Sequence, residues 1–301
     1  MIILTDKPVG VRSSEAVAEA KRRLCAENGG KKIRVGHAGT LDSTASGLLI
    51  ILAGTATRLS DYIMKLPKVY EAEVRLGRST DTCDASGETV FEGDAGRVTE
   101  AVFDRVLFSF LGVRDQTPPE ISALKLGGVP LHKIARAAAD KVPAINPRPV
   151  CVYSIVRRGL IADGRVRISV TCGKGTYIRA IARDIGVILG CGAHVESLRR
   201  LSVGRFSVSD AGLVKPTREA GEMFQRLTPT EETERRLIGG MSVPLRGAGR
   251  YVPGSMELRH GLCIDGARLF GFAEVFRGDG SAGDGDGRLF IRPAANIEIA
   301  T

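Results

Sequence analysis

The stretch Gly36-His37-Ala38-Gly39-Thr40-Leu41-Asp42-Ser43-Thr44-Ala45-Ser46-Gly47 runs straight into the apolar Leu48-Leu49-Ile50-Ile51-Leu52, and no other feature constrains this chain as much. The apolar run is too short to cross a bilayer and reads as a buried strand. The loop ahead of it is punctuated by glycine and carries one carboxylate, Asp42, to the lip of that strand. Lys31, Lys32 and Arg34 lie just upstream. A charge at the edge of a core costs stability unless something pairs with it or uses it. Asp42 is therefore the first candidate for chemistry.

The pattern around this strand predicts an α+β fold. Ile2 to Thr5 reads as a short strand, followed by a turn at Asp6-Lys7-Pro8-Val9-Gly10 and a helix capped by Ser13 or Ser14 and running to about Cys25. Thr55 to Met64 reads as helical. Lys68 to Leu76 alternates, with Tyr70, Ala72, Val74 and Leu76 on one face, as in a strand with one buried side. Thr99 caps a helix through Phe108, and Gln116-Thr117-Pro118-Pro119 must be extended, since paired prolines exclude helix. Ile121 to Leu126 and Pro149 to Leu160 read as strands, the second turning at Asp163-Gly164 into Arg165 to Cys172. Thr176 begins a helix to about Leu189. Single helices without regular β-α alternation indicate a mixed, mainly antiparallel sheet flanked by helices. A charged helical stretch, roughly Pro229 to Leu237, separates residues 1–240 from a small β-rich unit at 241–301. There Leu269 to Phe276 and Arg288 to Ile291 read as strands, and Gly278 to Gly287, with five glycines and three aspartates, reads as a hairpin loop. That loop lacks the distal glutamate of a calcium site.

Charge narrows the class of partner. Lys and Arg total 43 against 34 Asp and Glu, giving a net charge of +9. Residues 114–210 hold 16 basic and 7 acidic side chains, whereas 211–301 balance at 12 and 12. A local surplus of this kind favours a polyanion, because each phosphate contact releases counterions. The six cysteines form no C-x-x-C pair, which argues against a zinc ribbon, a redox motif or a disulfide framework. The N-terminus lacks the layout of a signal peptide, so a cytoplasmic setting is expected. No ATP-binding, dinucleotide or metal motif stands out.

Asp42 acquires company further along. Lys174-Gly175-Thr176-Tyr177-Ile178-Arg179 sets an aromatic ring and a guanidinium two residues apart at the start of a helix. An arginine beside a buried carboxylate keeps it ionised and fixes its direction. Tyr70, on the apolar face of its strand, can present a ring for stacking. Taken singly, Tyr70 fits as core filler, Arg179 as a surface residue and His37 as a turn residue. Their force lies in occurring together with Gln116-Thr117-Pro118-Pro119-Glu120-Ile121-Ser122-Ala123-Leu124-Lys125.

With that segment the chain resembles the TruB-type tRNA pseudouridine synthases. The Asp42 loop, Lys68-Val69-Tyr70, the segment from Gln116 and the segment from Lys174 are similar to that family's signature stretches, in its order and spacing. Asp6-Lys7-Pro8, Cys191 to Val195 and Leu198-Arg199-Arg200 match as well, so the resemblance covers about residues 1–206. It implies a catalytic aspartate at Asp42 with Arg179 as its ion-pair partner. It also implies a nucleoside pocket lined by His37, Tyr70, Tyr177 and Leu198. The implied reaction is isomerisation of uridine 55 in the T-loop of tRNA, with no metal and no organic cofactor. The implied C-terminal unit is a PUA-type pseudobarrel. Three positions depart from the family's pattern: Ser43 and Ile50 stand where proline is usual, and His132 where tyrosine is common. None removes a reactive group, and serine at 43 loosens the loop by less than about 1 kcal/mol.

The residues agree with that chemistry. Detaching a base at N1 and rejoining it through C5 is redox-neutral and needs no energy source. The sugar carbon must become electrophilic, or lose a neighbouring proton, so an ionised carboxylate beside it is required. The base must leave its stack, and an aromatic platform such as Tyr70 helps to hold it. Its hydroxyl can also take the C5 proton. Basic residues between Lys125 and Arg205 are expected to grip phosphates of the T-arm, with the protein a monomer. Two alternatives stand beside this: an RNA-binding or tRNA-folding protein with little chemistry, and the catalytic subunit of a guide-RNA particle that modifies ribosomal RNA.

Overall fold

The strand expected after the Asp42 loop is β3 (Ala45–Ala53), in which every residue but Ser46 is buried. A strand with two apolar faces needs a partner on each edge and a layer on each side. β1 (Ile2–Lys7) pairs with it antiparallel, placing Leu4 opposite Ile50, and the strand Ala193–Val203 pairs with it in parallel, placing Leu198 opposite Ala45. The computed structural model describes residues 1–121, 125–126, 129–130, 145–254, 256, 261–277 and 289–299.

The main sheet is ordered Val214–Lys215, β1, β3, Ala193–Val203, β4 (Lys68–Leu76), Arg165–Cys172, Arg148–Ala162 and Gly112–Gln116. The short β2 (Val35–His37) adds to β3, and Phe206–Ser207 adds to Ala193–Val203. Among the described pairs of this sheet, β3 with Ala193–Val203 is the parallel one; the others are antiparallel. This is the α+β architecture that the sequence predicts.

Two helices cover one end of the sheet. Phe103 and Leu107 of Glu100–Phe108, with Ile181 and Ile185 of Ile178–Leu189, close over Ala72, Val74, Val166 and Ile168. At β3 the two faces diverge. Leu49 and Ile51 meet Leu24 of α1 (Ser13–Glu27), while Leu48, Ile50 and Leu52 meet Leu59, Ile63 and Leu66. Each fully buried aliphatic side chain contributes about 1.5–3 kcal/mol of transfer free energy, so β3 anchors both cores.

Several local expectations are corrected. Neither Ser13 nor Ser14 caps α1: the cap is Arg12, whose N–H donates to Glu15 at 3.0 Å. The Ser13 hydroxyl instead accepts from Leu41 N–H at 2.9 Å and donates to its carbonyl at 2.7 Å. Thr55 to Met64 is two elements, a 3-10 turn at Gly54–Leu59 and a helix at Ser60–Lys65. Ser43, expected to loosen its loop, is tied down by its carbonyl, which accepts from Gly10 N–H at 2.8 Å. Of the strand expected from Ile121 to Leu126, only Lys125–Leu126 is described as strand, and residues 122–124 lie outside the described residues. His132, most of the loop 125–144 and the loop 278–287 also lie outside them.

The C-terminal expectation is met by a six-stranded half-barrel sheet ordered Val243–Pro244, Leu289–Ile299, Leu269–Arg277, Leu262–Asp265, Gln225–Pro229 and Gly249–Val252. This sheet reaches upstream of residue 241, because Gln225–Pro229 sits between Gly249–Val252 and Leu262–Asp265. The charged helix Glu231–Ile238 packs onto it as well, burying Leu237 among Leu227, Val243 and Ile291. Glu234 of that helix is buried and accepts from Arg268 and Leu269 N–H, each at 2.7 Å. The helix therefore belongs to the second sheet instead of separating it from the first.

Candidate active site

The loop carrying Asp42 is held at both ends by backbone geometry that needs glycine. Gly47 has φ +105°, and a Cβ there would stand 2.2 Å from the Arg200 carbonyl in the neighbouring parallel strand. Gly39, at φ +106°, lies against the Arg200 guanidinium. Arg200 is buried and donates to the carbonyls of Leu48 (2.8 Å), Gly39 (3.0 Å) and Thr40 (3.4 Å). From beneath, the buried Lys7 ammonium donates to Ala45 O at 2.6 Å and to the Pro8 and Val11 carbonyls. Burial lowers its pKa and the Asp42 charge opposes that shift. Two cations and Ser13 thus fasten a loop that has little regular hydrogen bonding of its own.

Arg179 enters from the first turn of Ile178–Leu189, 137 residues away in sequence, and its Nε donates to Asp42 Oδ2 at 2.9 Å. The arginine side chain is 6% exposed and the carboxylate 37%, so the pair has one buried partner and one that faces the cavity. Nη1 donates to Thr82 O at 2.7 Å and Nη2 to Ile121 O at 3.1 Å. A second carboxylate, Asp84, stands 3.8 Å from Arg179 Nε and accepts from Thr44 Oγ1 at 3.0 Å. Burial pushes Asp84 up, but hydrogen bonds from Ser86 and Thr82 and the Arg179 charge outweigh it, leaving its pKa lowered. Arg179 is therefore shared between a buried anion and a reachable one. Among the described residues Asp42 Oδ1 accepts no hydrogen bond, so one oxygen is left to face a substrate.

These groups open onto a cavity of about 480 Å³, lined by Asp42, Tyr70, Tyr177, Arg179 and Leu198 together with Lys68 and Arg200. Such a volume suits a nucleoside-sized guest. Tyr70 packs against both adjoining cores and stands opposite Arg200 in the neighbouring strand. Burial raises its phenol pKa, partly offset by Arg200, so the ring is neutral at pH 7. Lys68, one alternation away on the same strand face, donates to the carbonyls of Met64 and of Leu66 (2.7 Å); burial pushes its pKa down to about 8.

His37 departs from the expected set: it does not line this cavity. It ends β2 opposite Ile51, its carbonyl accepts from Ser60 Oγ at 3.4 Å, and its buried Nδ1 has no partner. Burial, then the Arg200 charge, lowers its pKa and keeps the ring neutral at pH 7.

Sequence reasoning missed Asp84 altogether, and saw Lys68, Gln116 and Arg200 as motif letters without roles. For Asp84 a signal was present. Thr82-Cys83-Asp84-Ala85-Ser86-Gly87 is a compact polar turn in which Asp84 Oδ1 accepts from Ser86 N–H at 3.0 Å and Cys83 takes φ 59°. No group of three or more metal-ligating side chains occurs among the described residues.

Comparison with known proteins gives a consistent result. Residues 22–178 match the family described as TruB family pseudouridylate synthase (N terminal domain), and residues 179–232 match the tRNA pseudouridylate synthase B C-terminal domain. The tRNA pseudouridine synthase B of Opitutus terrae is 40% identical over 238 residues, covering 79% of this chain and 91% of that protein. The protein of the same name from Cupriavidus taiwanensis is 35% identical over 307 residues, covering 99% and 94%. That of Xanthomonas campestris is 43% identical over 205 residues, covering 68% and 64%. Among solved structures, a Cbf5-Nop10-Gar1 complex superposes with TM-score 0.67 at 23% identity, over all of this chain and 84% of that one. An H/ACA RNP bound to a substrate RNA containing 2'-deoxyuridine gives 0.65 at 22% identity, over all of this chain and 84% of that one. At that identity the structural likeness speaks for the fold alone.

Proposed function

From the membership of this chain in the TruB family of pseudouridylate synthases, a tRNA-modifying enzyme family, we propose that it isomerises uridine 55 of the tRNA T-loop, with Asp42 as the catalytic group. The observation that carries the proposal is the Asp42–Arg179 pair, 2.9 Å long and set at the wall of a cavity that also holds Tyr70.

The steps follow from the groups present. A uridine swings out of the folded T-arm into the cavity, and Tyr70, Tyr177 and Leu198 replace the stacking it gives up. Arg179 keeps the Asp42 carboxylate ionised and aimed at the ribose, either to attack C1′ or to take the C2′ proton; both routes break N1–C1′. The uracil turns within the cavity and rejoins C1′ through C5. The C5 proton then leaves through the Tyr70 hydroxyl, which gives its own proton to solvent as it takes this one, while N1, freed of the sugar, gains a proton in its place. The Arg200 charge favours the tyrosine oxygen while it holds negative charge. The reaction conserves atoms and electrons, so the chain's own residues suffice for it. In this reading the enzyme works as a monomer in the cytoplasm, and basic residues between Lys125 and Arg205 hold T-arm phosphates.

Unmodified tRNA transcript incubated with the protein alone, without any guide RNA, tests the proposal. Carbodiimide treatment and primer extension should stop at position 55 after wild type and not after Asp42→Asn. A stop elsewhere, or none, contradicts the assignment.

A further inference from the structure

Gln116 ends the edge strand Gly112–Gln116 and is 3% exposed. Its carboxamide meets the backbone of Tyr177 at two points: Nε2 donates to the Tyr177 carbonyl at 3.1 Å, and Oε1 accepts from the Tyr177 N–H at 2.8 Å. A contact using one donor and one acceptor of the same planar group fixes both where the residue sits and how it is turned. Glutamine is suited to this: ionised glutamate lacks the donor, lysine and arginine lack the acceptor, and asparagine is one methylene short.

The residue it holds is a sensitive one. Tyr177 is the extended residue before the helix Ile178–Leu189, with φ −100° and ψ 112°, and its carbonyl also accepts from Ile181 N–H at 3.1 Å. Its side chain makes no cap for that helix, and the turn before it is closed by Thr176 Oγ1, which donates to Gly173 O at 3.2 Å. Tyr177 lines the cavity, and Arg179 follows two residues later. The same segment is tied to this helix twice more: Thr117 O accepts from Arg183 Nη2 at 2.9 Å, and Ile121 O accepts from Arg179 Nη2 at 3.1 Å. Arg179 is held by Asp42 and Thr82 besides, whereas Gln116 engages both the N–H and the carbonyl of Tyr177.

We propose that Gln116 is a positioning residue of this site: by clamping the Tyr177 peptide it sets the aromatic wall against which the flipped uracil turns. The inference rests on the functional reading above.

The test is a double-mutant cycle read on single-turnover pseudouridine formation, with tRNA affinity and melting temperature measured alongside. Gln116→Ala should slow turnover on the order of 10- to 100-fold, the scale of a misplaced contact group, while tRNA affinity stays within about twofold. Gln116→Glu, which keeps the acceptor and loses the donor, should slow turnover too, and it carries the test should the alanine variant fail to fold. In a Tyr177→Ala background the Gln116 substitutions should add little further loss, because the group they act through is gone. Losses that multiply in the double variants, or a lower melting temperature with wild-type turnover, would overturn the proposal. An Asp42→Asn control separates the two readings. Turnover surviving that change sinks the functional assignment, whereas its loss together with an additive Gln116 cycle sinks only the present inference.

Discussion

Arg179 divides one guanidinium among the Asp42 carboxylate and the carbonyls of Thr82 and Ile121, with Asp84 3.8 Å away. A lysine ammonium is a single point of charge and cannot reproduce that fork. Arg179→Lys should therefore lower turnover by about 100-fold or more, as loss of a preorganised electrostatic partner does. It should also cost about 1–3 kcal/mol of stability, because buried acceptors lose their donor. Turnover within about threefold of wild type in a steady-state assay would contradict the role given to the pair. Lys68 supplies a pH test. Its folded pKa, about 8, lies below the unfolded value near 10.5, so keeping it charged penalises the fold fully below pH 8. The penalty falls as pH rises from about 8 toward 10.5, where the unfolded chain binds more protons. Wild type should thus gain stability relative to Lys68→Met over that range in urea titrations, and parallel curves for the two proteins would refute the shift. Asp42 was legible in the sequence because glycine and a core strand bracket it. Asp84 was not: its polar turn marked a local structure but not a role, since its partners Thr44 and Arg179 lie 40 and 95 positions away. Lys68 and Arg200 were visible as letters; the carbonyls that accept from Arg200 belong to a distant segment, whereas those that accept from Lys68 lie just upstream of its own strand.

At the scale of elements, alternation and apolar runs sufficed for most strands, because burial on one or both faces writes itself into residue order. Lys68 to Leu76 and the hairpin through Asp163-Gly164 are found where periodicity placed them. The parallel pairing of β3 with Ala193–Val203 was not legible, since nothing local marks which distant strand lies alongside. Ser13 misled for a related reason: a serine ahead of a helix fits a cap, yet its hydroxyl found two bonds to Leu41 across the fold. The parallel pair rests on Gly47. Gly47→Ala puts a methyl 2.2 Å from the Arg200 carbonyl at φ +105° and should cost more than about 3 kcal/mol, the range of strained or overpacked sites. Gly190→Ala, at φ +73° with open space around it, should cost only about 1 kcal/mol. Equal denaturation midpoints for the two variants would show that the close approach of these strands is not what glycine serves.

For the whole molecule, the two sheets share a core. Phe272 of the second sheet stacks on Tyr62 at 4.0 Å and meets Phe224 edge-on at 4.9 Å, within the cluster that holds Leu48 and Ile50 of β3. The sequence suggested a division at 240, because a charged helical stretch precedes a glycine-rich, β-like segment there; the shared aromatic contacts leave no trace in residue order. A fragment of residues 1–240 should unfold earlier, by about 3–5 kcal/mol for the lost aromatic packing alone, and should bind an apolar dye. A fragment as stable as the full chain would show that the second sheet is merely appended. The central claim, that an ionised Asp42 paired with Arg179 drives exchange of N1 for C5 on a flipped uridine, is tested most directly by hydrogen leaving C5. Transcript tRNA carrying tritium at C5 of its uridines should release one equivalent per tRNA to water with wild type. Asp42→Asn should release none while still binding tRNA. Tritium release by Asp42→Asn at the wild-type rate would contradict the account.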